Sequence, residues 1–196
     1  MKILGLTGSL AMGKSTAANL LRSLGVPVHD ADAVVHALLG PKGKAVDAVE
    51  AAFPGVRQGD QINRSALGQR VFGDDDALNR LEALLHPLVR CEEKKFLALA
   101  QRLNQKLVVL DIPLLFETGG QNRCDAVAVV TAPKFLQRQR ALQRPGMSPE
   151  KFRAVLAHQM LDEEKRVRAD FILQSGLGKA FTLKALRRIV TAMRRG

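Results

Sequence analysis

Hydrophobic positions along this chain change period several times, and each change marks an element. Residues 3–7 form a short apolar run closed by Gly8, and Ala17, Leu20, Leu21 and Leu24 then recur at helical spacing. The chain therefore opens as strand, glycine loop, helix. Gly25 stops that helix, and residues 26–30 read as a second strand with Asp30 at its carboxyl end. From residue 32 to about 105 the spacing is helical almost throughout, through Val46, Val49 and Phe53, then Leu78, Leu81, Leu84 and Leu85, then Phe96, Ala100 and Leu103. This stretch carries no strand signal and predicts an inserted helical lobe. Residues 107–110 and 126–130 are continuous apolar runs without polar alternation, the pattern of strands covered on both faces, which predicts a parallel sheet. Residues 133–168 predict a charged, mobile helical hairpin broken at 144–149, where Ser148 is placed to cap the next helix with Pro149 in its first turn. A short strand at 171–173 and a closing helix at 182–193, with Leu183, Leu186 and Val190 on one face, complete an α/β chain.

Length and composition narrow the picture. A chain of 196 residues, 46% of them hydrophobic, is one domain with room for an inserted lobe, and needs no disulfide or structural metal to hold its core. Cys91 and Cys124 stand far apart in no metal-binding pattern, which predicts two inert, buried thiols in a reducing compartment. The histidines His29, His36, His86 and His158 share no metal-ligand spacing, so no zinc site is expected. No apolar run is long enough to span a membrane and the N-terminal one is too short for a signal peptide, so a cytoplasmic location is expected. The net charge of +11 asks for an anionic partner: nucleic acid, an anionic membrane surface or a phosphorylated small molecule. With no Trp, no Tyr and 8 Phe, the chain lacks the stacking side chains of single-strand binders, which disfavours nucleic acid.

The small-molecule reading gains from residues 8–15, Gly-Ser-Leu-Ala-Met-Gly-Lys-Ser, which match the phosphate-loop pattern G-x-x-x-x-G-K-[ST] between a predicted strand and a predicted helix. Glycines at 8 and 13 let the backbone N–H groups of Gly8, Ser9, Leu10, Ala11, Met12 and Gly13 turn inward toward phosphate oxygens at a helix N-terminus. Lys14 is placed for the β- and γ-phosphates, Ser15 for a magnesium ion bridging them, and Thr16 for a neighbouring phosphate oxygen. ATP with Mg2+ is the expected cofactor set. Asp111, ending an apolar strand, occupies the usual place of a magnesium-organising carboxylate. Asp30 and Asp32 follow the second strand, at the sheet edge where ligands bind; Asp32 is either a base for an acceptor or the cap of the next helix. Glu117 either binds a substrate hydroxyl or is a solvated loop acid. Arg140 and Arg144, four apart, share one face of the predicted hairpin helix, as lid arginines or as an exposed basic face. Two other readings share the phosphate loop: a kinase of the same fold acting on a nucleoside monophosphate or a shikimate-like alcohol, and a nucleotide switch or nucleic-acid-dependent ATPase. Against a GTPase, there is no Asn-Lys-x-Asp motif, and Asp111 is followed by Ile-Pro-Leu rather than Asp-x-x-Gly.

One order of residues is more specific than the loop. Gly-Leu-Thr-Gly at 5–8, Gly13-Lys14-Ser15-Thr16, Asp30-Ala31-Asp32, Asn63-Arg64, Leu85-His86-Pro87, Asp-Ile-Pro-Leu-Leu-Phe-Glu at 111–117, Gln137, Arg140, Arg144, Gln159, Lys165 and Ala169-Asp170 together resemble bacterial dephospho-CoA kinase over nearly the whole chain. That resemblance implies transfer of the ATP γ-phosphate to the ribose 3′-hydroxyl of dephospho-CoA. It also implies a three-layer α/β/α P-loop NTPase fold with a parallel five-stranded core at 1–31, 106–133 and 169–196. A helical CoA-binding lobe at about 32–105 and a helical lid at about 134–168 would complete it. Under the resemblance Asp32 is the base with Asp30 beside it, Arg64 and His86 line the acceptor site, and Arg140 and Arg144 are lid arginines. Two departures stand out. Ser9, Ala11 and Met12 fill a loop that is usually richer in glycine, and Gln174-Ser175 stand where the family often has an asparagine near the adenine.

Overall fold

The computed structural model describes residues 1–71 and 73–195, so Gly196, the last residue of the expected C-terminal core stretch, lies outside the described residues. In chain order the elements are β1 (Lys2–Thr7), α1 (Lys14–Ser23), β2 (Val28–Asp30), α2 (Ala31–Leu39), α3 (Val46–Ala52), β3 (Arg57–Gln58), β4 (Gln61–Ile62), α4 (Arg64–Val71) and α5 (Asp75–Arg102). They continue as β5 (Leu107–Asp111), β6 (Ala126–Thr131), α6 (Lys134–Leu142), α7 (Pro149–Ala157), α8 (Asp162–Val167), β7 (Phe171–Gln174) and α9 (Lys179–Arg195). They form two compact units, residues 1–29 with 100–196, and residues 30–99.

The first unit is built on a five-stranded parallel sheet in the order β2-β5-β1-β6-β7. Its central strand β1 pairs parallel with β5, Leu4 opposite Val109, and with β6, Leu4 opposite Ala126. β5 and β6 are buried at every position, which is why their sequences show no polar alternation. Leu21 of α1 and Leu186, Ile189 and Val190 of α9 join Leu4, Leu6, Val109 and Val130 in one apolar core. Because the paired strands run the same way, Thr7, Asp111, Thr131 and Gln174 all end on one edge of the sheet.

The second unit has its own core of Leu38, Val46, Val49, Phe53, Val56, Ile62, Leu67, Leu81 and Leu85. It departs from the all-helical expectation in one place. β3 and β4 form a minimal antiparallel hairpin, Gln58 opposite Gln61, turned by Gly59 at φ +64°. Three of its four paired residues are polar, so no alternating hydrophobic signal marks it in the sequence. α5 continues through Pro87, which has no N–H to offer the Ala83 carbonyl. Neither cysteine is in a disulfide, but only Cys124 is partly covered; Cys91 is exposed on α5, contrary to the expected burial. Among the described residues no helix is long and apolar enough to cross a membrane.

Candidate active site

The loop between β1 and α1 is held open by contacts that explain its sequence. The Thr7 hydroxyl donates to the Pro113 carbonyl at 2.9 Å, fixing the end of β1. At Gly8 a Cβ would lie 2.5 Å from the Val130 carbonyl oxygen, so the chain can leave the sheet there only as glycine. Gly13 enters α1 in the left-handed region at φ +97°. The Met12 N–H donates to the Ser9 carbonyl at 3.1 Å, and the Met12 sulfur accepts from the Ala132 N–H at 3.2 Å. Ala11 takes φ +61° although it carries a side chain, at a cost on the order of 1 kcal/mol. Its methyl is buried against Ala141 and Phe152 of the α6–α7 hairpin, so the hairpin expected to be mobile packs directly on the loop.

Lys14 Nζ lies 2.6 Å from Asp111 Oδ1, and that carboxylate is almost wholly buried at the end of β5. Lysine and aspartate come from opposite ends of a 97-residue separation and compensate each other's charge at the sheet edge. Ser15 is exposed in the first turn of α1, with Thr16 half-buried beside it. No cluster of three or more His, Cys, Asp or Glu fit to hold a metal occurs among the described residues. The residues expected to hold magnesium, Ser15 and Asp111, lie in the first turn of α1 and at the end of β5, and Asp111 is paired with Lys14.

Arg140 and Arg144 do not share a helix face. α6 stops at Leu142 with Gln143 as its cap, so Arg144 sits in the following turn, exposed. Arg140 is half-buried and donates to the Ser175 hydroxyl at 2.9 Å and its carbonyl at 3.2 Å. Ser175 in turn donates to the Met12 carbonyl. A Cβ on Gly13 would be 3.5 Å from Arg140 Nη1, so the guanidinium lies beside the loop. Ser175, standing where the family often has asparagine, thus ties the end of β7 to both Arg140 and the loop.

Glu117 lies at an exposed loop position, but its carboxylate is engaged. Its Oε1 accepts from Lys165 Nζ at 2.8 Å and from the Met160 N–H at 2.8 Å. Lys165 is fully buried and reaches the Pro113 carbonyl as well, at 3.4 Å. At the other end of the hairpin, Lys134 and Glu163 pair at 2.8 Å, which holds the lysine amine above and the glutamate carboxyl below their ordinary ionisation values. Sequence reasoning gave no role to Gln137, Gln159, Lys165 or Ser175; the first three were visible only as matched positions of the resemblance.

In the second unit the cap of α2 is Asp30, whose Oδ1 accepts from the Ala33 N–H at 3.0 Å. The capping alternative raised for Asp32 therefore falls to its neighbour. Asp32 is exposed in the first turn, without a hydrogen-bond or ion-pair partner among the described residues. Arg64 Nη1 meets His36 Nδ1 at 3.2 Å, and His86 is exposed on α5 just before Pro87.

Comparison with known proteins follows the same lines. The family model for dephospho-CoA kinase matches residues 2–179. A curated dephospho-CoA kinase of Paramagnetospirillum magneticum is 62% identical over 194 residues, covering 99% of this chain and 92% of that protein. A crystal structure of a Thermus thermophilus protein superposes with a TM-score of 0.85 at 38% identity, over 97% of this chain and 96% of that one. The structure of dephospho-CoA kinase from Campylobacter jejuni superposes with a TM-score of 0.68 at 27% identity, over 100% of this chain and 98% of the other.

Proposed function

The chain belongs to the dephospho-CoA kinase family, and from that premise we propose how its residues transfer the ATP γ-phosphate to the ribose 3′-hydroxyl of dephospho-CoA, the last step of coenzyme A biosynthesis. The observation that carries the reading is the loop at 8–16, with Lys14 and Asp111 paired at 2.6 Å where β1 and β5 end. The N–H groups of the loop and the α1 N-terminus bind the phosphates, except those expected of Leu10 and Met12, which are held by Gln159 Oε1 and the Ser9 carbonyl, and Lys14 supplies a positive charge to the β- and γ-phosphoryl oxygens. Ser15 and Asp111 would hold Mg2+, which when bound neutralises charge on those oxygens. Arg140, lying beside Gly13, and Arg144 in the turn after α6 stabilise charge on the transferring group.

Asp32 receives the proton of the acceptor hydroxyl. Its exposure and lack of a competing partner leave the carboxylate available for that role. The 3′-oxygen bonds to the γ-phosphorus as the bond to the β–γ bridging oxygen breaks, ADP leaves, and the proton passes to Asp32. Arg64 and His86 bind the acceptor, with Asp30 ordering the turn that carries Asp32. Glu117, whose Oε1 also accepts from Lys165 and the Met160 N–H, binds a hydroxyl of the acceptor. Two phosphorylated substrates account for the demand for anionic partners made by a charge of +11, without nucleic acid or a membrane. Consumption of ATP and thiols outside any disulfide fit a cytoplasmic reaction.

The test is ADP release from magnesium ATP with dephospho-CoA, AMP, CMP and shikimate offered in parallel. Turnover confined to dephospho-CoA is the expected result. Turnover of another acceptor, or hydrolysis independent of any acceptor, would leave only the phosphate loop standing.

A further inference from the structure

The backbone of Leu10, in the middle of the phosphate loop, is held on both of its flanking peptides by side chains of the hairpin. Its N–H donates to Gln159 Oε1 at 3.0 Å, and its carbonyl accepts from Gln137 Nε2 at 2.9 Å. The orientation of both amides follows from their partners, since an N–H requires an acceptor and a carbonyl a donor. Gln137 is buried on α6, and Gln159 is half-buried in the segment after α7. The next residue, Ala11, holds a left-handed backbone at φ +61° although it carries a side chain. A loop with glycine there would adopt that conformation at no steric cost; a loop with alanine needs its neighbours to hold it.

We infer that Gln137 and Gln159 are positioning residues that clamp the Leu10 backbone and so keep the N–H groups of Ala11 and of Gly13 to Thr16 turned toward the phosphates, the Met12 N–H being held by the Ser9 carbonyl. The clamp also makes the α6–α7 hairpin a support of the phosphate site, because both glutamines and the apolar contact of Ala11 with Ala141 and Phe152 come from it. The inference rests on the reading of residues 8–16 as the nucleotide-binding loop.

The two glutamines have opposite chemical needs, and that allows a test in which simple electrostatics predicts the reverse. Gln159→Glu keeps the acceptor for the Leu10 N–H but adds a negative charge near bound phosphate. Gln159→Met keeps the size, loses the acceptor and adds no charge. Calorimetric titration with ADP should show Gln159→Met raising Kd about tenfold or more over wild type, and Gln159→Glu binding more tightly than Gln159→Met. Gln137→Glu, which sets a carboxylate against the Leu10 carbonyl, should weaken ADP more than Gln159→Glu, although the added charge is the same. Melting curves with and without ADP separate this from a general loss of fold, since the clamp variants lose ADP-dependent stabilisation rather than only their melting temperature. The inference is overturned if Gln159→Glu binds ADP more weakly than Gln159→Met, or if all three variants bind as wild type does. Should wild type itself fail to bind ADP, the nucleotide reading fails and the clamp with it; wild-type binding with the reversed order at position 159 removes the clamp alone.

Discussion

A lysine with no exposed surface is the most demanding single residue in this molecule. Lys165 places an ammonium group in the interior, and its charge is compensated by Glu117, 2.8 Å away, with the Pro113 carbonyl nearby. Glu117 uses the same oxygen to hold the Met160 N–H, so one ion pair connects the chain after β5 to the segment that carries Gln159. Removing one partner of such a pair leaves an uncompensated charge, which costs more than the pair itself contributes. Lys165→Met should therefore lower unfolding free energy by about 3 kcal/mol in urea titration, and adding Glu117→Gln should return a large part of it. A loss below about 1 kcal/mol would show that Glu117 finds solvent instead. The long sequence separation of the pair explains why Glu117 alone, read in sequence, looks like a surface acid.

At the scale of elements, the N-terminus of α2 divides two jobs between two aspartates. Asp30 satisfies the Ala33 N–H and fixes where the helix begins, whereas Asp32, two residues on, is exposed. Asp30→Ala should cost about 1 kcal/mol of stability, while Asp32→Ala should stay within about 0.5 kcal/mol of wild type; chemical denaturation of both variants checks this, and equal losses would contradict the division. The sequence left Asp32 open as cap or base and did not name Asp30 as the cap, because both carboxylates stand at the start of the helix and only the backbone turn chooses between them. Elsewhere local signals sufficed. Ser148 accepts from the Lys151 N–H at 3.2 Å with Pro149 opening α7, and the two apolar runs became the buried strands β5 and β6. The β3–β4 hairpin escaped notice because polar residues dominate it. The separation of Arg140 from Arg144 escaped because the four-residue spacing was read without Pro145, which disfavours helical backbone at Arg144.

For the whole molecule, the chain builds two cores around two tasks. The unit of 1–29 and 100–196 carries the phosphate loop, Lys14, Asp111 and the clamp at Leu10; the unit of 30–99 carries Asp32, Arg64 and His86. The glycine-and-lysine loop was legible because its residue types are dictated by backbone shape. The glutamines, Ser175 and Lys165 were not, because their roles come from long-range contacts made only on folding. The central claim is that Asp32 takes the proton of the acceptor hydroxyl, and the direct measurement is steady-state turnover of dephospho-CoA by Asp32→Asn beside wild type. A fall in kcat of about 10²–10⁴ with the KM for ATP essentially kept is the predicted result. A fall of less than about tenfold would contradict it and leave catalysis to the phosphate loop alone.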